Sequence, residues 1–186
     1  MSTPGHLPWL RFYGRVPESL DYPEVTLYET IAQAAARALD AIAWDFLDTT
    51  STYRDFLATI DRCADALAAL GLRCGDRILV SMPTSPQGII AFYATNKLGA
   101  VPAMIHPLSA GPEIERYLDA SGARIALTLD AFYGVFASLR PKRPLETLIL
   151  ARIPDYLAPL KKFGFWLTKG RKIRRVPADA RVRWWA

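Results

Sequence analysis

The sequence predicts an α/β fold: a parallel sheet with helices on both faces, preceded by an N-terminal arm and a small β-hairpin. Short apolar strands alternate with helical segments between residues 76 and 150, and capping residues or glycines stand at their junctions. Strands and helices that alternate in this way form right-handed βαβ units, which build a parallel sheet covered on both faces. The 186 residues are enough for one domain with a hydrophobic core.

The N-terminal arm is predicted over residues 1–25, which are rich in proline, glycine and aromatic residues and show no period. We expect it to lie over a surface. Thr26 and Glu29 have the spacing of a capping box, in which the threonine caps a helix and the glutamate bonds back to its amide. A helix should therefore begin here and run to about Leu39.

The hairpin is predicted from alternating apolar residues at 42, 44 and 46, the pattern of a half-buried strand. A turn at Asp48-Thr49-Thr50 would lead into a short partner strand that ends near Tyr53. Apolar residues then recur at helical spacing from Phe56 to Leu70. Gly71 follows where a helix-terminating glycine belongs.

Four strands and three helices make up the predicted alternation. The caps of the helices support it, because Ser85-Pro86 suits a helix start, Gly99 and Gly122 suit helix ends, and Asp130 would cap a third, short helix. The predicted strands are Ile78–Met82, Ala100–Ile105, Ile125–Leu129 and Leu145–Leu150; the first two helices run from Ser85 to Leu98 and from Gly111 to Ser121.

The pattern stops after Ala151, where prolines and glycines interrupt the chain and Tyr156–Leu167 is a short helical candidate. We therefore predict three parts: the arm (1–25), an α/β subdomain (26–150) and a basic linker (151–186) that leads to a further part of a longer protein. From residue 160 onward there are nine Lys or Arg and one acid, a charge of +8, which leaves −3 for residues 1–159. The tail is interpreted as a linker with a weak attraction to anionic lipid, and nothing in the sequence indicates nucleic-acid binding.

Several kinds of site are not expected. Two histidines and two cysteines without a CxxC spacing indicate neither a zinc site nor a disulfide framework, so the cysteines are expected to be reduced and the protein cytoplasmic, with peripheral membrane contact open. No glycine-rich phosphate loop of the GxGxxG or GxxxxGK type and no GxSxG occurs. Thr168–Lys172 has one glycine and is interpreted as a surface loop.

His106 is the candidate for a functional side chain. It follows the second predicted strand, and open α/β sheets bind ligands at the carboxyl ends of their strands. No cluster of carboxylates accompanies it in the sequence. Two interpretations stand: a hydrogen-bonded loop histidine before Pro107, which is favoured, and a catalytic histidine.

Between Thr52 and Leu129 the sequence contains a succession of short motifs: Thr52-Tyr53-Arg54-Asp55, Gly75-Asp76-Arg77-Ile78, Met82-Pro83-Thr84-Ser85-Pro86, Lys97-Leu98-Gly99-Ala100-Val101-Pro102 and Asp119-Ala120-Ser121-Gly122-Ala123. Over this stretch the chain resembles the AMP-binding (ANL) adenylating superfamily, which includes the AMP-forming acyl-CoA synthetases. The residues from Asp155 to Lys172 look most like the long-chain fatty-acyl members.

The resemblance implies an acyl-CoA ligase that uses ATP, Mg²⁺ and CoA in two steps, through an acyl-adenylate. The family's phosphate loop and catalytic lysine have no counterpart in these residues, so the chain is expected to be an inactive N-terminal piece with no catalytic, cofactor or metal residues of its own. The resemblance also implies that the loop starting with His106 and Pro107 lies on the CoA side. The family more often has Asn-Pro there.

Two other functions are kept open. One is a non-enzymatic binding module that self-associates through exposed apolar surface, with Trp184 and Trp185 as candidates. The other is half of a split ligase whose partner chain is the rest of the enzyme. Acyl chain length and oligomeric state are not indicated by the sequence.

Overall fold

The computed structural model describes residues 7–168, 170, 173 and 175–185. Two sheets and six α-helices are present in this part of the chain. The α-helices are α1 (Leu27–Ala35), α2 (Tyr53–Ala69), α3 (Pro86–Lys97), α4 (Gly111–Ser121), α5 (Tyr133–Ser138) and α6 (Pro159–Thr168). The strands are β1 (Ile42–Phe46), β2 (Thr49–Thr52), β3 (Arg77–Ser81), β4 (Val101–Met104), β5 (Ile125–Leu129), β6 (Thr147–Ala151) and β7 (Val182–Trp184).

The main sheet has the strand order β4-β3-β5-β6-β7, and every neighbouring pair is parallel. The predicted fold class is confirmed. Successive residues of a strand point to opposite faces, and each face has its own core. Helices α2 and α3, with α1 packed against them, cover one face, whereas α4 and α5 cover the other. All five residues of β5 are buried, which is expected for a central strand packed on both sides.

The predicted helix caps are mostly confirmed. Thr26 and Glu29 form the capping box, and Ser85 accepts a hydrogen bond from the Gly88 amide. Helix α4 ends at Ser121, as predicted, and Gly122 after it adopts a left-handed conformation with φ 67°. Asp130 is an exception: it begins a 3₁₀ turn (Asp130–Phe132), and α5 starts after Phe132 without a side-chain cap.

The first helix is shorter than predicted. It ends at Ala35, and turns occupy the residues up to the hairpin. The hairpin is confirmed as an antiparallel pair of strands. Its turn lies one residue earlier than predicted, because Leu47 and Asp48 both have positive φ, at 54° and 68°, and Thr49 already belongs to β2. Positive φ at both central residues is the geometry of the tight I′ turn that suits twisted strands.

Polar contacts fix α1 against the two helices beside it. The Tyr28 hydroxyl donates to Asp61 at 2.8 Å, and the Lys97 ammonium contacts the same carboxylate at 2.5 Å. Partial burial alone would raise the pKa of Asp61, but the hydrogen bonds from Lys97 and Tyr28 outweigh it and lower that pKa. The Tyr28 amide also donates to the Asn96 side chain at 2.9 Å.

The segment after β6 contains a strand that the sequence did not predict. A 3₁₀ turn (Ile153–Tyr156) and α6 are followed by β7, which pairs with β6 and forms an edge of the sheet. The predicted linker from residue 151 therefore contributes a strand to the main sheet. The predicted domain boundaries themselves stay predictions.

The arm, from residue 7 onward, has a short 3₁₀ turn (Leu10–Phe12) and is mostly exposed. None of the described helices has the length and apolar character needed to cross a bilayer.

Candidate functional site

The loops at the carboxyl ends of the strands form one rim, because all strands of the main sheet are parallel. This rim is where open α/β sheets bind their ligands. It is made of the loops after β3 and β4 and of the residues that follow β5 and β6. Two parts of the rim are distinct in chemistry: one lies around His106, at the β4 edge, and the other around Asp130 and Arg152, towards the β7 edge.

His106 lies in a tight loop directly after β4. Its Nδ1 atom accepts a hydrogen bond from the Leu108 amide at 3.2 Å, and its carbonyl accepts one from the Ser109 amide at 3.1 Å. The ring is exposed and Pro107 is half-buried. These bonds agree with the interpretation as a hydrogen-bonded loop histidine, and they leave Nε2 as the ring nitrogen that can meet a ligand. The predicted CoA-side contact of His106 and Pro107 stays a prediction.

Open cavities flank this loop. One of about 430 Å³ lies between β4 and α4. A second, of about 240 Å³, lies beside the loop that leads into α3. Met104 lines both, so the two cavities meet at the end of β4. The first is lined by Leu79, Ala103, Met104, Ile105, His106, Tyr117, Ala120 and Ser121.

The loop between β3 and α3 is closely packed. A Cβ added at Gly88 would lie 3.3 Å from the Met82 Cβ and from the Pro83 carbonyl oxygen. Gln87 is buried and donates to the carbonyl oxygen of Arg152 at 2.8 Å, which joins this loop to the end of β6. The centre of the rim is therefore closely packed and tied to the end of β6.

Asp130, Arg152 and Trp184 form a second cluster at the other part of the rim. The Arg152 guanidinium lies 4.0 Å from the centre of the Trp184 ring and its Nε atom is 3.8 Å from the Asp130 carboxylate. Burial raises the pKa of Asp130, although Arg152 acts against this shift. The cluster borders a cavity of about 480 Å³ that Lys162 and Arg175 also line.

This cavity is mainly cationic and could attract an anionic group. Apart from Asp130 as the candidate helix cap and Trp184 as a candidate for self-association, the sequence drew attention to none of these residues. They come from the ends of β5, β6 and β7, from α6 and from the segment between α6 and β7, and only the fold brings them together.

The cysteines behave as small reduced residues. Both are free, and burial raises the pKa of the Cys63 thiol to about 12. Cys63 is therefore a neutral thiol near pH 7 and a poor nucleophile. It lines a cavity of about 460 Å³ between α2 and β7, together with Tyr156 and the two tryptophans at 184 and 185.

Among the described residues, no group of three His, Cys, Asp or Glu side chains could hold a metal ion. The stretch Thr168–Lys172 that was considered for phosphate binding lies largely outside the described residues, as do His6 and the tail residues Lys169, Arg171, Lys172 and Arg174. The described glycines form no cluster in which backbone amides could hold a triphosphate, and the loop into α3 uses its glycine for packing.

Comparisons with known proteins give one consistent result. A family model described as AMP-binding enzyme matches residues 31–164. A long-chain-fatty-acid–CoA ligase of Bacillus subtilis is 28% identical over 167 residues, which is 89% of this chain and 30% of that ligase. The long-chain-fatty-acid–CoA ligase FadD13 of Mycobacterium tuberculosis is 40% identical over 80 residues, 43% of this chain and 16% of its own length.

Solved structures agree. A fatty acyl CoA synthetase of Mycobacterium tuberculosis matches with a TM-score of 0.60 and 30% identity, over 66% of this chain and 25% of that one. The N-terminal domain of FACL13 from the same organism matches with a TM-score of 0.60 and 25% identity, over 82% of this chain and 38% of that domain. The chain thus spans well under half the length of each of these relatives.

Proposed function

Because the chain belongs to the AMP-binding enzyme family, we propose that it works as the N-terminal part of an ATP-dependent, AMP-forming acyl-CoA ligase of the fatty-acyl type. The observation that carries this proposal is the match to the N-terminal domain of FACL13 over 82% of the chain. The long-chain-fatty-acid–CoA ligases of Bacillus and Mycobacterium support the acyl class.

In this proposal the chain is a scaffold rather than a catalyst. The two-sided core holds the strands of the main sheet rigid, and the carboxyl-end rim forms one wall of the acyl and CoA channels. His106 and Pro107 would face CoA, with Nε2 of the ring directed to the ligand side because Nδ1 is engaged by the Leu108 amide. The rest of the ligase would be the principal partner.

The whole ligase would use ATP, Mg²⁺ and CoA. Activation of a carboxylate requires a cradle for the triphosphate and cations that offset the developing charge. The residues of this chain do not fit that requirement, because the sequence has no glycine-rich phosphate loop and the described carboxylates form no metal site. We therefore propose that the chain alone activates no acid.

An ATP–pyrophosphate exchange assay with the purified 186-residue chain and a series of fatty acids tests this proposal. We expect no exchange above the background without protein, whereas the Bacillus subtilis ligase, as the positive control, exchanges under the same conditions. Fatty-acid-dependent exchange by the isolated chain would overturn the scaffold role.

A segment swap tests the positive half of the proposal. This chain would replace the matching segment of the Bacillus subtilis ligase, and acyl-CoA formation would be measured. We expect activity, and we expect His106→Ala to raise the KM for CoA several-fold with the KM for ATP unchanged. A folded but wholly inactive chimera would count against the proposed role.

The second candidate is a binding module that self-associates. It is favoured by Trp184, which is 44% exposed although it belongs to a strand of the main sheet. Light scattering distinguishes the scaffold from the self-associating module, since a compact monomer at high concentration argues against self-association.

The free cysteines support a reducing compartment, and we propose that the protein works in the cytoplasm.

A further inference from the structure

Helix α6 carries large apolar side chains that face outward. Leu160 is 83% exposed, Phe163 59%, Trp166 55% and Leu167 44%, and no residue of this helix is buried. Residues 160, 163 and 167 recur at the spacing that places side chains on one side of a helix. A ten-residue helix that exposes four large apolar side chains is unusual for a surface in contact with water only.

The start of the helix is held in place by a polar contact. Lys161 donates to the Leu47 carbonyl oxygen at 3.2 Å and forms an ion pair with Asp48, both in the turn of the hairpin. The rings of Phe163 and Trp166 stack on each other with their centres 6.4 Å apart. These contacts order the helix and leave Leu160, Phe163 and Leu167 largely exposed.

The sequence of α6 and of the tail that follows it is strongly positive. Lys162 is exposed on the helix itself, and the sequence from Leu160 to Ala186 has nine Lys or Arg and one acid. Helices that lie in a membrane surface combine phenylalanine, tryptophan and leucine with lysine. Their aromatic and leucine side chains lie at the boundary of the acyl chains, and their ammonium groups lie among the lipid phosphates. Basic residues near a membrane surface are attracted by anionic lipids.

We propose that α6 docks in the plane of an anionic lipid surface, with residues 160, 163, 166 and 167 at the boundary between headgroups and acyl chains. The positive charge of the tail complements an anionic lipid surface. It disfavours a second copy of the chain, whose own tail is positive too. The proposal adds a partner to the ligase scaffold, for which a lipid surface would be a source of fatty acids, but it requires no step of the ligase reaction.

Co-sedimentation of the 186-residue chain with vesicles tests the proposal. Vesicles of phosphatidylcholine alone are compared with vesicles that contain about a third phosphatidylglycerol, without ATP or CoA. We expect at least fivefold stronger binding to the anionic vesicles and a loss of most of that difference when the salt is raised to about 0.5 M, since the Debye length then falls to a few ångströms. Equal binding to both vesicles, or no binding to the anionic ones at low salt, would overturn the proposal.

A pair of matched double variants locates the contact. Leu160→Ser with Phe163→Ser should weaken vesicle binding at least tenfold. The control is Val101→Ser with Met104→Ser at the β4 edge, where the side chains are 49% and 51% exposed, and it should leave binding unchanged. Equal losses in both variants would refute a role of α6, and circular dichroism checks that both remain folded.

A second pair tests the charge. Lys162→Glu on α6 and Arg116→Glu on α4 change the net charge equally, and both positions are exposed. Only the former should weaken binding, by about fivefold. Sedimentation velocity tests the competing proposal that a second copy of the chain binds α6. If the α6 double variant abolishes self-association and leaves vesicle binding intact, α6 is a protein interface. Because no nucleotide is present, these results are independent of the exchange assay.

Discussion

The central strands and the segment after β6 belong to one parallel sheet but are stabilised by different forces. In β3, β5 and β6 almost every residue is buried, and helices cover both faces. In the segment from residue 152 onward, α6 buries no residue and β7 buries none either. Only partly buried side chains such as Trp185 and Val182 pack this segment against the two cores. Polar contacts add to them: the Arg152–Trp184 stack, the ion pair of Asp179 with Arg181 and the link from Lys161 to the hairpin.

The difference shows that strand pairing alone does not make a strand part of the core. Burial of apolar surface contributes about 25 cal/mol per Å² and involves no titrating group. Exposed ion pairs contribute at most about 1 kcal/mol each and depend on both salt and pH. We therefore expect the centre of the sheet to tolerate changes of pH and moderate salt that loosen β7 and α6.

The largest effect is expected in the centre. Leu127 in β5 is fully buried, so Leu127→Ala should lower the free energy of unfolding by about 3–4 kcal/mol, through lost burial and the cavity left behind. The matched control is Leu160→Ala in α6, where the side chain is 83% exposed and the change should stay within about 0.5 kcal/mol. Urea unfolding followed by circular dichroism measures both, and similar losses would remove the contrast between the two regions.

The next effect concerns the turn between α3 and β4. Gly99 has φ +69°, and a Cβ there would lie 2.8 Å from the sulfur of Cys74. Gly99→Ala should therefore cost about 2 kcal/mol. Adding Cys74→Ala should restore part of the lost stability, because it removes the clash with the sulfur. The strained φ at residue 99 remains.

Gly134 is the control for that prediction. It lies in α5 with nothing within 4 Å of an added Cβ, so Gly134→Ala should be neutral or stabilise by about 0.5 kcal/mol. Thermal unfolding compares the two alanine variants. A Gly99→Ala variant as stable as Gly134→Ala would show that the turn has freedom to relax.

A smaller, pH-dependent effect is expected at the start of β7. Hydrogen bonds from the Arg181 side chain and amide hold the pKa of Asp179 at about 2, below its usual 3.8. A lowered carboxylate pKa means stability that is fully present above about pH 4 and is lost as the pH falls towards 2. Asp179→Asn should cost about 1 kcal/mol at pH 7, after allowance for solvent screening, and almost nothing near pH 2.

Urea titrations at several pH values measure this difference. Asp65→Asn, at an exposed position of α2, serves as the control and should have little effect at any pH. A constant cost of Asp179→Asn from pH 7 to pH 2 would contradict the role of the ion pair in holding β7.

The smallest effect is expected for the link between α6 and the hairpin. Lys161→Ala should change the free energy of unfolding by no more than about 0.5 kcal/mol, as is typical of exposed ion pairs. Its effect should appear locally, as faster amide hydrogen exchange in α6 with unchanged exchange in β5. Slower or equal exchange in α6 would show that other contacts order this helix.

Sequence patterns predicted the central region well because burial repeats at regular intervals there. Ile125–Leu129 was predicted with its observed bounds, and the capping pair Ser85-Pro86 begins α3 as expected. The hairpin turn was misplaced because Leu47, which no turn preference favours, takes a positive φ. The first helix ends at Ala35 although the residues after it are good helix formers. The carbonyl groups of Leu39 and Ala41 accept hydrogen bonds from the amides of Arg54 and Tyr53 instead, contacts that no local pattern predicts.

The second region could not be predicted in the same way. A three-residue strand such as Val182–Trp184 has too few residues to show a period, and its partner β6 is about thirty residues away. The sequence placed His106 at the rim, which the structure confirms, but not the cluster of Asp130, Arg152 and Trp184. Those three meet only because β5, β6 and β7 end at the same edge of the sheet.

The strand order has a consequence for how the chain can assemble during synthesis. β3 and β4 can pair first, and β5, β6 and β7 can then be added in the order in which they leave the ribosome, each beside the strand that precedes it in the row. No strand has to be inserted between two that are already paired. A nascent chain can thus extend its sheet in one direction while translation continues, and an unpaired apolar edge is exposed only until the next strand emerges.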